Sequence, residues 1–193
     1  MIAYLKGDFV KKTPSFAHVD VNGVGYEVQI SLNTYVRIQD LEKGLLHTIQ
    51  IIREDAHLLY GFFEVAEKEM FQHLTSVSGV GASTARVMLS YMKAADLAHA
   101  IISADLRTLE SLKGIGKKTA ERLVLELKDK LLKQPVDTNI PALKSNTLHH
   151  DALNALIALG INRSAAEQGI KKVVASEPGL PVEELIKKTL RIL

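Results

Sequence analysis

Gly114-Ile115-Gly116 is followed at once by Lys117 and Lys118, and then by the amphipathic run TAERLVLELK. Glycine is the weakest ordinary helix former, and lysines at a helix start oppose the positive end of its dipole. For stability alone this is a poor way to begin a helix. For holding an anion it is a good one. Glycines let the backbone turn sharply and approach another surface, and Ile115 between them can anchor the turn in a core. A helix that starts near Lys117 presents free N–H groups, and two ammonium groups stand beside them. Backbone amides plus lysine make a sequence-independent contact to a nucleic-acid phosphate. The plainer reading is a helix-turn-helix corner with packing glycines and solvated lysines.

The motif occurs twice. SVSGVGASTARVM begins at Ser76 and SLKGIGKKTAERL at Ser111, an offset of 35 residues. At the same offset Thr84-Ala85 answers Thr119-Ala120 and Leu74 answers Leu109. An internal duplication follows, and a duplicated phosphate site suits a polymer with a repeating charged backbone. A P-loop is the competing phosphate motif. It requires glycine where Ser111 stands and Ser or Thr where Lys118 stands, so it fails. No nucleotide hydrolysis is expected.

Other constellations are weaker. Glu54 and Asp55 lie in the polar turn of IIREDAHLLY and read as solvated turn residues; two adjacent acids alone make a poor Mg²⁺ site. His149-His150-Asp151 fits a helix start better than a metal cluster, and no H-E-x-x-H pattern exists. Tyr4, Tyr26, Tyr60 and Phe62 are candidate stacking platforms for single strands, but core or interface packing is the better expectation for most. No catalytic residue, metal ligand or cofactor motif stands out.

These groups must be positioned by a chain of 193 residues that is 47% apolar, enough to build cores. It has no cysteine, which excludes disulfides and thiolate chemistry and suits a reducing, cytoplasmic setting. The N-terminal MIAYLKGDFVKKTPSF lacks the pattern of a secretory leader, and no apolar run approaches the ~20 residues of a membrane span. Net charge is +2, divided as −1, +2 and +1 over residues 1–63, 64–133 and 134–193. A nucleic-acid footprint must therefore be local.

Residues 1–63 alternate with period 2. Asn22-Gly23 is a strong hairpin signal, and about five short strands are expected, closed into a small barrel. From Glu64 the pattern becomes helical, and the two glycine hairpins occupy residues 64–133. Residues 134–148, QPVDTNIPALKSNTL, read as a linker. Residues 149–193 read as a three-helix bundle. Asp151 is expected to cap its first helix and Gly160 to end it; Ser164 and Glu167 form a capping box; Pro181 opens the third helix. So small a bundle covers little, so Ile170, Val174, Leu185, Ile186 and Leu190 are candidates for a partner-docking surface.

GVGYEV, REDAHLLYGF, SVSGVG and LKGIGKKTAERLVLELKDK occur in this order. With them the whole chain resembles the bacterial RuvA family, which binds Holliday junctions in the branch-migration complex. The likeness is sharpest over residues 51–63 and 112–130. It implies an OB-fold barrel, tandem helix-hairpin-helix motifs, a flexible linker and a small three-helix domain. It further implies a homotetramer, one or two per junction, that holds four-way DNA open. Its third domain would bind the RuvB ATPase, and the RuvC resolvase would join a larger complex. Recombination, repair and the SOS response would be the setting. The implied DNA-backbone residues are Gly79, Gly81, Ser83, Thr84, Gly114, Gly116, Lys117, Lys118 and Arg122. Glu54 and Asp55 match the family's acidic pin, which repels phosphates at the crossover. One departure matters: the family often has lysine where Ser83 stands, and Arg86 is the nearby cation that would make up the charge. The alternative from another class is a helix-hairpin-helix repair enzyme, a glycosylase or nuclease.

Overall fold

The computed structural model describes residues 1–132, 144–177 and 180–192, with residues 144–150 described by their backbone alone. The chain divides into two compact units, Met1–Pro135 and Val136–Leu193.

The first unit opens with five strands: β1 (Tyr4–Lys12), β2 (Phe16–Val21), β3 (Val24–Ile30), β4 (Lys43–Ile52) and β5 (His57–Phe62). They close into a barrel in the order β1-β2-β3-β5-β4, the order of an OB fold, with only the β3–β5 pair parallel. Asn22 and Gly23 both have positive φ, 53° and 86°, the twist that a two-residue turn between β2 and β3 demands. Leu5, Phe9, Val19, Val28, Ile30, Leu46 and Leu59 fill the barrel.

Between β3 and β4 lies α1 (Leu32–Ile38), a helix that the period-2 reading of this region leaves out. The Ser31 side chain caps it by accepting from Thr34 N. Its β-branched Thr34, Val36 and Ile38 favour strand locally, and tertiary contacts override them. The helices of this unit continue as α2 (Val65–Ser76), α3 (Ala82–Tyr91), α4 (Ala94–Ile102), α5 (Leu106–Glu110) and α6 (Lys117–Leu132). Tyr60 and Phe62 leave the outer face of β5 and meet Phe71 of α2, each pair of rings 5.0 Å apart. They are core residues and not stacking platforms, whereas Tyr4 is exposed. Barrel and helices thus share one apolar cluster.

A buried carboxylate crosses the same seam. Ser31 Oγ donates to Glu67 Oε1, and Thr34 Oγ1 donates to Glu67 Oε2 at 2.7 Å. Burial pushes the Glu67 carboxyl above the usual carboxylate range, against the pull of the two hydroxyls that hold it down; the Glu64 charge adds to the rise.

The second unit contains α7 (Lys144–Ala158), α8 (Arg163–Ser176) and α9 (Val182–Ile192) around Ala152, Leu156, Ala166, Ile170, Val173 and Leu185. Residues 133–143, most of the expected linker, lie outside the described residues. Because α7 already begins at Lys144, Asp151 sits inside that helix and does not cap it. Nothing between Pro141 and Asp151 breaks a helix. Gly160 does end it, with φ +87° and a bond from Ile161 N to Leu156 O. The expected capping box at Ser164 gives way to a cap two positions earlier. Asn162 caps α8 by accepting from Ser164 N at 2.9 Å, which leaves Glu167 to pair with Arg163 at 2.9 Å. Pro181 precedes α9 by one residue, its carbonyl accepting the first helical bond from Leu185 N.

Candidate nucleic-acid interface

The two glycine motifs fold identically, bond for bond. In the first, Val77 N donates to Leu74 O at 3.2 Å, Val80 N to Val77 O at 3.0 Å and Ala85 N to Gly81 O at 2.9 Å. In the second, Leu112 N donates to Leu109 O at 3.2 Å, Ile115 N to Leu112 O at 3.0 Å and Ala120 N to Gly116 O at 2.9 Å. Val80 and Ile115 are buried as anchors, and the repeat partners Leu74 and Leu109, Ala85 and Ala120 are fully buried.

Within each motif the two glycines have different tasks. Gly79 and Gly114 stand at φ +94° and +89°, where a side chain is strained. Gly81 and Gly116 are not left-handed, and a Cβ on either would meet no atom of this chain. Neither the turn nor internal packing demands glycine there. What a side chain would obstruct lies outside: the bare helix start and whatever approaches it. Beyond Gly81, α3 begins at Ala82; beyond Gly116, α6 begins at Lys117. Their first N–H groups have no partner within the helix. Gly81, Ser83, Gly116, Lys117 and Lys118 are exposed and Thr84 is half-buried.

The hairpins lie side by side and touch. A Cβ on Gly114 would stand 3.6 Å from Thr84 Cγ2, and one on Gly79 would stand 4.0 Å from Thr119 Oγ1. Arg122 Nη1 donates to Ser78 O at 3.2 Å while its Nε faces Glu126 Oε1 at 3.5 Å. That side chain joins α6 to the first hairpin across a groove of about 450 Å³, which Lys118, Thr119 and Glu121 also line. Asp105 steadies the approach to the second hairpin. It caps α5 by accepting from Thr108 N and Thr108 Oγ1, which hold its carboxyl below the usual range.

Arg86 does not stand with these groups. Its Nη1 is directed at barrel oxygens, 2.6 Å from Ser15 O. The first hairpin therefore offers amides and hydroxyls without a cation from Ser83 or Arg86, and the charge is concentrated on the second. No local sequence signal marks this, since Ser15 is 71 residues away.

Glu54 and Asp55 sit at the tip between β4 and β5, in a turn closed by Arg53 N donating to Ala56 O at 2.8 Å. Both are exposed, and among the described residues neither has an ion-pair partner. In the second unit the five expected docking residues divide. Ile170 and Leu185 are core, Val174 and Ile186 are partly buried, and Leu190 is exposed, as are Ile157, Leu159 and Ile192. Among the described residues no three His, Cys, Asp or Glu side chains are grouped to hold a metal ion. No helix among them is long and apolar enough to cross a membrane.

Residues 1–61 match the family model described as the RuvA N terminal domain, residues 71–129 the SAM-like helix-hairpin-helix tandem, and residues 147–193 the RuvA C-terminal domain. Over the full length of both chains the sequence is 45% identical to a protein of Christiangramia forsetii, 46% to one of Flavobacterium psychrophilum and 42% to one of Cytophaga hutchinsonii.

The chain belongs to the RuvA family.

Each of those three relatives is named Holliday junction branch migration complex subunit RuvA. The RuvA N-terminal model covers the barrel up to Gly61, and the tandem model covers both glycine motifs. The departure at Ser83 falls within that tandem match.

Proposed function

We propose that this chain is a structure-specific DNA-binding scaffold without catalytic activity of its own. It binds four-way junctions through backbone phosphates, holds them open, and couples them to a separate RuvB-type ATPase for branch migration. The observation that carries this reading is the pair of bond-for-bond equivalent hairpins with Gly81 and Gly116 bare to the outside. Two equivalent amide sites side by side suit successive phosphates, which need no base recognition.

The parts divide as follows. Gly81, Gly116 and the amides beyond them receive phosphate, Ser83 and Thr84 add hydroxyls, and Lys117 and Lys118 add charge. Glu54 and Asp55, unpaired at a barrel tip, repel phosphates near the crossover and raise the cost of binding ordinary duplex. Four copies assemble on one junction, as one tetramer or a facing pair, in the cytoplasm. The bundle of residues 149–193 docks the ATPase by its exposed apolar side chains, and the RuvC resolvase joins the same assembly in recombination and repair.

A band-shift comparison of four-way, duplex and single-stranded DNA, with a nuclease assay in Mg²⁺, tests the proposal. The expected order places the four-way junction first with no cleavage. Equal affinity for duplex, or Mg²⁺-dependent nicking, would overturn it.

A further inference from the structure

The first hairpin is attached to the barrel in a way the second is not. Arg86, one turn into α3, has Nη1 2.6 Å from Ser15 O, 3.2 Å from Gln29 Oε1 and 3.4 Å from Ile30 O. Ser15 O also accepts from Ile30 N at 3.0 Å, so the guanidinium and an amide together use both lone pairs of that carbonyl. At the far end of α3, Leu32 N donates to Ser90 Oγ at 3.0 Å, and Asn33 Nδ2 donates to Leu89 O and Met92 O. The helix whose N-terminus forms the first amide site is therefore pinned to the barrel at both ends. Where the second hairpin is held, it is held to the first, by Arg122 to Ser78 O and by the packing of Gly114 on Thr84.

We propose that Arg86 is a positioning residue: it fixes the first hairpin's amide site against the barrel and makes no phosphate contact itself. This rests on the phosphate-binding reading of the hairpins. A charge-assisted bond to a carbonyl that already serves the β-sheet is strong and directional. A guanidinium committed to such oxygens has no reason to leave them for a solvent-screened phosphate. The absence of a cation at Ser83 is therefore not made good by Arg86. The first hairpin acts as a rigid, weakly charged rest, and the second supplies the electrostatic grip.

The salt dependence of binding separates positioning from direct binding. Removing one phosphate contact lowers the log–log salt slope by about 0.9, whereas misplacement of an amide site lowers affinity at unchanged slope. Arg86→Met keeps the stem and removes the donors. The full chain carrying it is expected to bind a four-way junction about tenfold more weakly, the usual scale of one charge-assisted hydrogen bond, at the wild-type slope. A slope reduced by about 0.9 would overturn the proposal by showing Arg86 on phosphate, and unchanged affinity would overturn it by showing no role in positioning. Gln29→Ala, which leaves the charge in place and loosens the clamp, serves if Arg86→Met fails to fold. It is expected to weaken binding, and tighter binding would overturn the proposal by showing that the barrel restrains a DNA ligand. Lys117→Ala with Lys118→Ala, measured in parallel, reports on the phosphate reading separately: an unchanged slope there refutes that reading whatever Arg86 does.

Discussion

Thr84 of the first repeat packs against Gly114 of the second, 3.6 Å from where a Cβ on that glycine would stand, and Thr119 of the second faces Gly79 of the first. The threonines are equivalent residues of the duplication, and so are the glycines. The contact is thus the same contact made twice, in opposite senses. It sets the two helix starts beside each other and fixes their spacing through the smallest residue available.

The two kinds of glycine are expected to respond differently to substitution. Gly114→Val places a β-branched residue at φ +89° and costs stability by at least about 1–2 kcal/mol. Gly116→Val meets no atom of the chain, so melting is expected to stay near wild type while DNA binding falls. Thermal melts and band shifts on both variants check this. Equal destabilisation of the two would contradict the division of tasks.

Glu67 predicts a particular pH dependence. Its carboxyl is raised in the folded chain, so its protonated form is favoured by folding. The stability it contributes is fully present below the ordinary Glu value, about pH 4, and is lost as pH rises through the raised value. The melting temperature of wild type minus that of Glu67→Gln is therefore expected to be larger at pH 4 than at pH 7. A difference that grows with pH would show that the hydroxyl bonds of Ser31 and Thr34 outweigh burial.

The hairpins were legible because they are local. Glycine spacing, the anchors Val80 and Ile115 and the helix starts are all set within a dozen residues. The Asn22-Gly23 turn was legible for the same reason. Helix α1 was obscured by its β-branched residues, although Ser31, its cap, was in plain sight. At α8, Asn162 and Ser164 are both good caps, and sequence alone does not choose between them. The barrel contacts of Arg86 and Glu67 join residues tens of positions apart, and no pattern in the chain announces such pairs.

Glu54→Gln with Asp55→Asn is expected to leave the fold unchanged, since both side chains are exposed in a turn closed by backbone. Affinity for ordinary duplex should rise and preference for junctions should shrink. Competition between the two DNAs measures this directly, and unaltered preference would leave the pair as ordinary turn residues.

Truncation after Lys133 is expected to keep junction binding and abolish stimulation of the ATPase. Within the bundle, Leu190→Asp should break that partnership in a folded domain, because Leu190 is exposed. Leu185→Asp should unfold the bundle, because Leu185 is 1% exposed in its core. Circular dichroism and ATPase stimulation separate the two. Full stimulation by the Leu190 variant would remove it from the docking surface.

The most direct test is the salt dependence of four-way junction binding by wild type and by Lys117→Ala with Lys118→Ala. If the second hairpin grips phosphate, the double variant binds more weakly to every junction sequence, and its log–log slope falls by about 0.9 for each phosphate no longer held. A slope equal to wild type would mean that these lysines are merely solvated, and would contradict the account.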